Sequence, residues 1–220
     1  MAVEMTALSI MQDAPVIPVI VLQKVEHAVP MAQALVAGGI RVLEVTLRTP
    51  QGLDCIAAIA RAVPEAIVGA GTVRNAADAR AAHAAGARFA VSPGYTCALG
   101  QACQALELPL LPGVATSSEI MQAQADGFDA LKFFPAMQAG GAAMLKAWQG
   151  PFADVRFCPT GGISAANAGE FLALANVVCV GGSWLVPADA LARGDWAQIT
   201  ALARSAAALR EPMRDHSGAA

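Results

Sequence analysis

Arg41-Val-Leu-Glu-Val-Thr-Leu-Arg-Thr-Pro-Gln-Gly-Leu-Asp-Cys-Ile-Ala-Ala-Ile-Ala-Arg-Ala-Val-Pro-Glu-Ala-Ile-Val-Gly-Ala-Gly-Thr-Val73 contains the pattern that decides the fold. Two runs rich in β-branched residues, Arg41–Arg48 and Ala66–Val73, flank an alanine-rich helical segment that opens near Gly52. Strand, helix, strand is the unit from which parallel sheets are built, because parallel strands need a long crossover.

The unit recurs. Strands are expected at Val16–Leu22, Arg41–Arg48, Ala66–Val73, Ala87–Pro93, Pro109–Thr116, Ala130–Pro135, Val155–Thr160 and Val177–Gly182. Helices open near Glu26, Gly52, Asn75, Thr96, Ser117, Gly140, Ala165 and Asp195, with Asn75 and Ser117 as N-cap candidates. Eight strands, each followed by a helix, predict an α/β fold of the closed (β/α)8 TIM-barrel type. Thr6–Gln12 reads as an extra N-terminal helix that plugs the barrel's lower end. A doubly wound open sheet is the competing architecture, but it favours a Gly-x-Gly-x-x-Gly turn after an early strand, and the chain has none. No linker or shift in composition divides the chain. One domain over residues 1–220 is expected, with the N-terminal helix inside 1–14 and a frayed tail over 210–220.

Bulk properties fit a buried parallel sheet. The chain has 220 residues, 56% of them hydrophobic and 14% charged, which excludes a disordered chain. The mean hydropathy of +0.51 follows from alanine-rich helices and fully buried strands. No apolar run reaches the ~18 residues of a membrane helix, and a net charge of −3 without a basic cluster argues against nucleic acid as a partner. The N-terminus lacks the pattern of a signal peptide. Five scattered cysteines, with no Cys-x-x-Cys, read as free thiols in a reducing cytoplasm. The three histidines share no motif, so no metal site is expected.

Lys132 stands out within Asp129-Ala-Leu-Lys-Phe-Phe-Pro-Ala136, a cation in an apolar strand. Burying an unpaired ammonium costs several kcal/mol, so such a lysine neutralises, finds a partner or has a chemical task. Strand alternation sends Leu131 and Phe133 to one face and Lys132 and Phe134 to the other. In the second strand Leu43, Val45 and Leu47 share a face, opposite Glu44, Thr46 and Arg48. If the apolar sets meet the helices, Lys132, Glu44 and Arg48 enter one interior. A purely structural Lys–Glu ion pair is the competing reading, although desolvation can exceed the Coulomb gain of such a pair.

Glycine marks the ends of the last two strands: Thr160-Gly161-Gly162-Ile163-Ser164 and Gly181-Gly182-Ser183-Trp184. Loops at these positions of a (β/α)8 barrel often bind phosphate through backbone N–H groups. Gly69-Ala-Gly-Thr72, Ser92-Pro-Gly94 and Leu111-Pro-Gly-Val-Ala-Thr116 leave room for a ligand at the other strand ends, or are ordinary turn chemistry.

Together, Glu44-Val-Thr-Leu-Arg-Thr49, Gly69-Ala-Gly-Thr72, Ser92-Pro-Gly94, Lys132-Phe-Phe-Pro-Ala136, Pro159-Thr-Gly-Gly-Ile163 and Gly181-Gly-Ser-Trp184 resemble the bacterial 2-keto-3-deoxy-6-phosphogluconate (KDPG) and 4-hydroxy-2-oxoglutarate (KHG) aldolase family, from about Pro15 to Leu209. The resemblance implies a class I aldolase of (β/α)8 fold, cytoplasmic and homotrimeric, that needs no cofactor. It implies that Lys132 forms a Schiff base with a 2-keto-3-deoxy sugar acid phosphate and Glu44 is the general acid/base. Arg48 and Thr72 would hold the pyruvate carboxylate, with Pro93, Phe134 and Thr160 on the rest of the substrate. Gly161, Gly162, Gly182 and Ser183 would meet the phosphate. Tyr95, Cys97 and Ala115 depart from the family pattern and bear on substrate preference. The alternatives are an aldolase for the galactonate epimer, a barrel isomerase without covalent catalysis, and a non-catalytic sugar-phosphate-binding protein.

Overall fold

The computed structural model describes residues 5–209. Its strands are β1 (Val16–Ile20), β2 (Val42–Thr46), β3 (Ile67–Gly71), β4 (Ala90–Val91), β5 (Leu110–Leu111), β6 (Gly113–Val114), β7 (Ala130–Phe133), β8 (Arg156–Pro159) and β9 (Val180–Gly182). Every pairing is parallel. One sheet runs β5-β4-β3-β2-β1-β9 and the other β6-β7-β8. Isolated bridges join β8 to the approach to β9 (Phe157↔Val177) and the residue after β8 to β9 itself (Thr160↔Gly181).

The expected fifth strand is divided in two by Pro112, which has no N–H to give to a ladder. Its carbonyl accepts from Lys132 N at 2.8 Å, so the chain still tracks β7 there. A short helix, Ala188–Arg193, precedes the last one, Trp196–Ala207. The capping residue of helix Ser117–Ala125 is Thr116, not Ser117: Thr116 and Glu119 form a reciprocal capping box. Asn75 caps as expected, accepting from Asp78 N at 2.9 Å. The tail 210–220 lies outside the described residues.

The alternation of the strands appears as two apolar layers. Leu43, Val45, Leu131 and Phe133 join the cluster shared with the helices, alongside Leu35, Ile56, Leu145 and Trp148. The opposite face supplies Ile17, Val42, Phe89, Val91, Leu111, Ala130, Cys158 and Cys179 to a separate inner cluster. Phe89 fits there because Gly69 is bare: a Cβ at Gly69 would lie 2.4 Å from the Phe89 ring.

Helix Ala7–Asp13 adds Ile10 and Met11 to the inner cluster, next to residues that begin strands, such as Val42 and Ala130. It therefore seats against the N-terminal ends of the strands. Thr6 caps it, and Asp13 at its far end pairs with Arg41, just before β2. The opposite end of the strands is left to the polar residues.

Candidate functional site

Lys132 and Glu44 meet inside the protein. Lys132 Nζ lies 3.4 Å from Glu44 Oε1, and each residue is only 2% exposed. In register, Lys132 sits between Gly113 and Cys158, and Glu44 between Val19 and Gly69. The two side chains thus come from different sheets and converge across the interior. The ring of Phe134 is 5.1 Å from the ammonium, a cation–π contact that adds to the lysine's stabilisation.

The direction taken by Glu44 depends on a glycine. A Cβ at Gly71 would lie 2.3 Å from Glu44 Oε1 and 2.6 Å from its Cγ. No side chain fits there, so the carboxylate occupies space that Gly71 leaves free. Thr46, on the same face, is occupied structurally: its Oγ1 donates to the Ile20 carbonyl at 2.9 Å.

Arg48 lies just beyond β2 and is exposed. Its Nε donates to Thr72 Oγ1 at 3.1 Å. Thr72 has φ +61, a left-handed conformation that is an outlier for a β-branched residue. Such backbone persists only where its surroundings hold it, and it concentrates at functional sites. With Nε engaged, the Nη groups carry the guanidinium's remaining donors.

The glycine pairs are neighbours. The Thr160↔Gly181 bridge joins their strand ends, and a Cβ at Gly181 would fall 2.1 Å from Thr160 Oγ1. Gly161 and Gly162 take φ +104 and +76, accessible to glycine and strained for other residues. Gly182 is buried under the Trp184 ring, 1.7 Å from where its Cβ would stand, and Ser183 is exposed beside it. Thr160 is buried, Phe134 half-buried and Pro93 exposed. Gly113 packs against the carbonyl carbon of Pro93, 2.4 Å from its would-be Cβ, and its N–H donates to Ser92 Oγ at 3.3 Å.

The predicted residues thus form three groups, Lys132–Glu44–Phe134, Arg48–Thr72, and Thr160 with the glycine pairs and Ser183, while Pro93 stands apart against Gly113. Tyr95 is committed elsewhere, its hydroxyl donating to Asp126 Oδ2 at 2.7 Å. Sequence reasoning missed Gly71 as the residue that makes room for Glu44. It also missed Asn167, which is bonded to the Gly161-Gly162 turn. A cavity of about 940 Å³ opens at the other end of the strands, lined by Leu8, Arg88, Glu107 and Asp129 among others, and includes none of these groups. Among the described residues, no three His, Cys, Asp or Glu side chains are grouped to hold a metal, and no helix is long and apolar enough to cross a membrane.

Parallel strands that bury a lysine–carboxylate pair between two sheets define an α/β protein. A family model described as "KDPG and KHG aldolase" matches residues 8–202, and the chain belongs to that family. It is 58% identical over 201 residues to the KHG/KDPG aldolase of Escherichia coli K12, covering 91% of this chain and 94% of that one. The crystal structure of KDPG aldolase from Legionella pneumophila, with pyruvate captured as a covalent carbinolamine, is 48% identical and superposes with a TM-score of 0.90 over 92% of this chain and 98% of that one. The Zymomonas mobilis ZM4 2-keto-3-deoxy-6-phosphogluconate aldolase with 3-phosphoglycerate gives 0.88 at 48% identity, over 94% and 97%.

Proposed function

We propose that the chain is a class I aldolase, a lyase that cleaves 2-dehydro-3-deoxy-6-phosphogluconate to pyruvate and glyceraldehyde 3-phosphate, and 4-hydroxy-2-oxoglutarate to pyruvate and glyoxylate. The observation that carries this reading is the buried Lys132–Glu44 contact of 3.4 Å. The covalent pyruvate adduct of the Legionella relative supports it.

Lys132 attacks the C2 ketone as the neutral amine, and Glu44 stands within reach of the proton that the ammonium must lose. The ketone oxygen departs as water, carrying one proton from the attacking nitrogen and the one Glu44 had taken, which leaves an iminium and an ionised Glu44. Glu44 then takes the proton of the C4 hydroxyl, directly or through a water. The C3–C4 bond breaks, its electron pair passes into the iminium to give an enamine, and the aldehyde leaves. Glu44 returns its proton to C3, and water hydrolyses the iminium to free pyruvate and Lys132. Arg48 and Thr72 hold the carboxylate, Arg48 through its Nη groups. Pro93, Phe134 and Thr160 line the chain of the substrate. Gly161, Gly162, Gly182 and Ser183 receive the phosphate.

The scaffold in this proposal is one domain over residues 1–220 and a closed (β/α)8 barrel. Pro112 separates β5 from β6 within one run of chain, β9 pairs with β1, and the two bridges span β8 and β9; these features favour closure. A cytoplasmic homotrimer completes the proposal, in keeping with the family resemblance.

Borohydride reduction in the presence of pyruvate tests the chemistry. A stable adduct on the peptide that carries Lys132 is the expected result. An unmodified chain points to the non-covalent isomerase or to a sugar-phosphate-binding protein. Faster cleavage of the galactonate epimer would reassign the substrate while leaving the chemistry intact.

A further inference from the structure

The Gly161-Gly162 turn is held by its carbonyls. Met137 N donates to Gly161 O at 3.2 Å, from the segment that follows β7. Asn167 Nδ2 donates to Gly162 O at 3.0 Å, while Asn167 Oδ1 accepts from Ser164 N at 2.8 Å. The amide orientation is unambiguous, because each end of the side chain meets a group of opposite polarity. In a trans peptide the C=O and the following N–H point in opposite directions. Capture of Gly161 O therefore turns the Gly162 N–H away from Met137 N, and capture of Gly162 O turns the Ile163 N–H away from the Asn167 carboxamide. The Met137 side chain lies against Gly162, its Cγ 2.6 Å from where a Cβ would stand, and closes one flank of the turn. Successive N–H groups fixed on one side of a turn form an anion-binding concavity.

We infer that Asn167 is the positioning residue of the phosphate cradle: its carboxamide spans Gly162 and Ser164 and aims the backbone donors of the turn at the phosphate without touching the substrate. The inference rests on the proposed aldolase function and on the phosphate site in particular. It explains why a half-buried asparagine just before helix Ala168–Leu172 does not cap that helix: its side chain is occupied by the turn.

The test is the ratio of KM for the phosphorylated substrate to KM for 4-hydroxy-2-oxoglutarate, which has no phosphate. A lost hydrogen bond is worth up to roughly tenfold in an equilibrium constant. Asn167→Ala should raise the ratio by about tenfold while kcat on the phosphorylated substrate changes less than KM. Asn167→Asp keeps the acceptor for Ser164 N, loses the donor to Gly162 O and brings a negative charge to the turn, so its ratio should rise further. This variant also serves if the alanine variant does not fold. An unchanged ratio in the folded variant, or equal losses on both substrates, would overturn the role. Ser183→Asp distinguishes the two levels of the argument. If it shifts the ratio and Asn167→Asp does not, the positioning role fails alone. If neither shifts it, the phosphate site itself is misplaced. Failure to trap pyruvate on Lys132 would instead remove the aldolase reading.

Discussion

An amine and a carboxylate that are each 2% exposed and 3.4 Å apart are a costly pair for a protein to keep. Taking both charges out of water costs several kcal/mol per ion, and well-packed apolar residues often serve stability better. Retention of the pair therefore points to chemistry, and two substitutions examine that at the residue scale. Glu44→Gln keeps the shape and loses the base. Turnover should fall by roughly 10²–10⁴-fold, with pyruvate trapping on Lys132 retained. Gly71→Ala leaves both Lys132 and Glu44 in the chain but puts a methyl group 2.3 Å from Glu44 Oε1, so the carboxylate must move. Turnover should fall by a comparable factor in a protein that still folds by circular dichroism. Full activity in Glu44→Gln would detach Glu44 from the reaction, and full activity in Gly71→Ala would mean that the carboxylate reaches its place by another rotamer. Lys132 and Glu44 were legible in the sequence because each interrupts an apolar strand at a position whose parity is fixed. Gly71 was not legible as their accomplice. Its local motif reads as a strand end, and the atom it makes room for belongs to the neighbouring strand.

At the scale of elements, β-branched runs between alanine-rich segments located the strands, but their paired lengths are shorter than those runs. Ala87–Pro93 contains only Ala90–Val91 as β4, and Pro109–Thr116 is broken at Pro112. Residues beyond the ladder still contribute single bonds, such as Ser92 N to Leu111 O at 3.2 Å. Helix Ala188–Arg193 carried signals of its own, with Pro187 before it and Gly194 in the left-handed conformation after it, but it merged with its successor in a rhythm that assigned one helix to each strand. The helix pair Cys97–Ala105 and Ser117–Ala125 is tied at its edge by Tyr95, whose hydroxyl donates to Asp126. That bond, then those from Cys97 and Gln122, hold the Asp126 carboxyl below the usual carboxylate range. The sign of the linkage follows. Between the depressed folded value and the ordinary value of about 3.9, the unfolded chain binds more protons, so stability rises with pH there. The contribution is fully present above the ordinary value and is lost as pH falls through the folded one. Tyr95→Phe removes the largest cause. The gap in urea midpoint between the natural chain and Tyr95→Phe should be wider at pH 7 than at pH 2. A gap that does not change with pH would mean that the bond does not favour the ionised carboxylate over the protonated one.

For the whole molecule, what the chain could not spell out is which distant strands meet. β9 pairs with β1 across nearly the full length of the chain, and no local pattern encodes that choice. The separation of labour between the two ends was foreshadowed, because an extra N-terminal helix was expected at one end and polar residues at the other. Helix Ala7–Asp13 is the test of that division. Met11 is fully buried in the inner cluster, at the end of the strands away from Arg48 and the glycine pairs. Truncating it leaves a void among strand residues that cannot all collapse inward, and a methionine-to-alanine change in such a setting costs about 2–5 kcal/mol. Met121 is 64% exposed and provides the matched control, since a substitution there should stay within about 0.5 kcal/mol. Urea unfolding of Met11→Ala and Met121→Ala measures the difference. Pyruvate trapping at low urea should be equal in both, because the helix packs on the N-terminal ends of the strands and contributes no group to Lys132 or Glu44. If Met11→Ala proves as mild as Met121→Ala, helix Ala7–Asp13 rests on the strands without stabilising them. If trapping falls with stability intact, the two ends are coupled through the inner cluster, in which Cys158 is the register neighbour of Lys132.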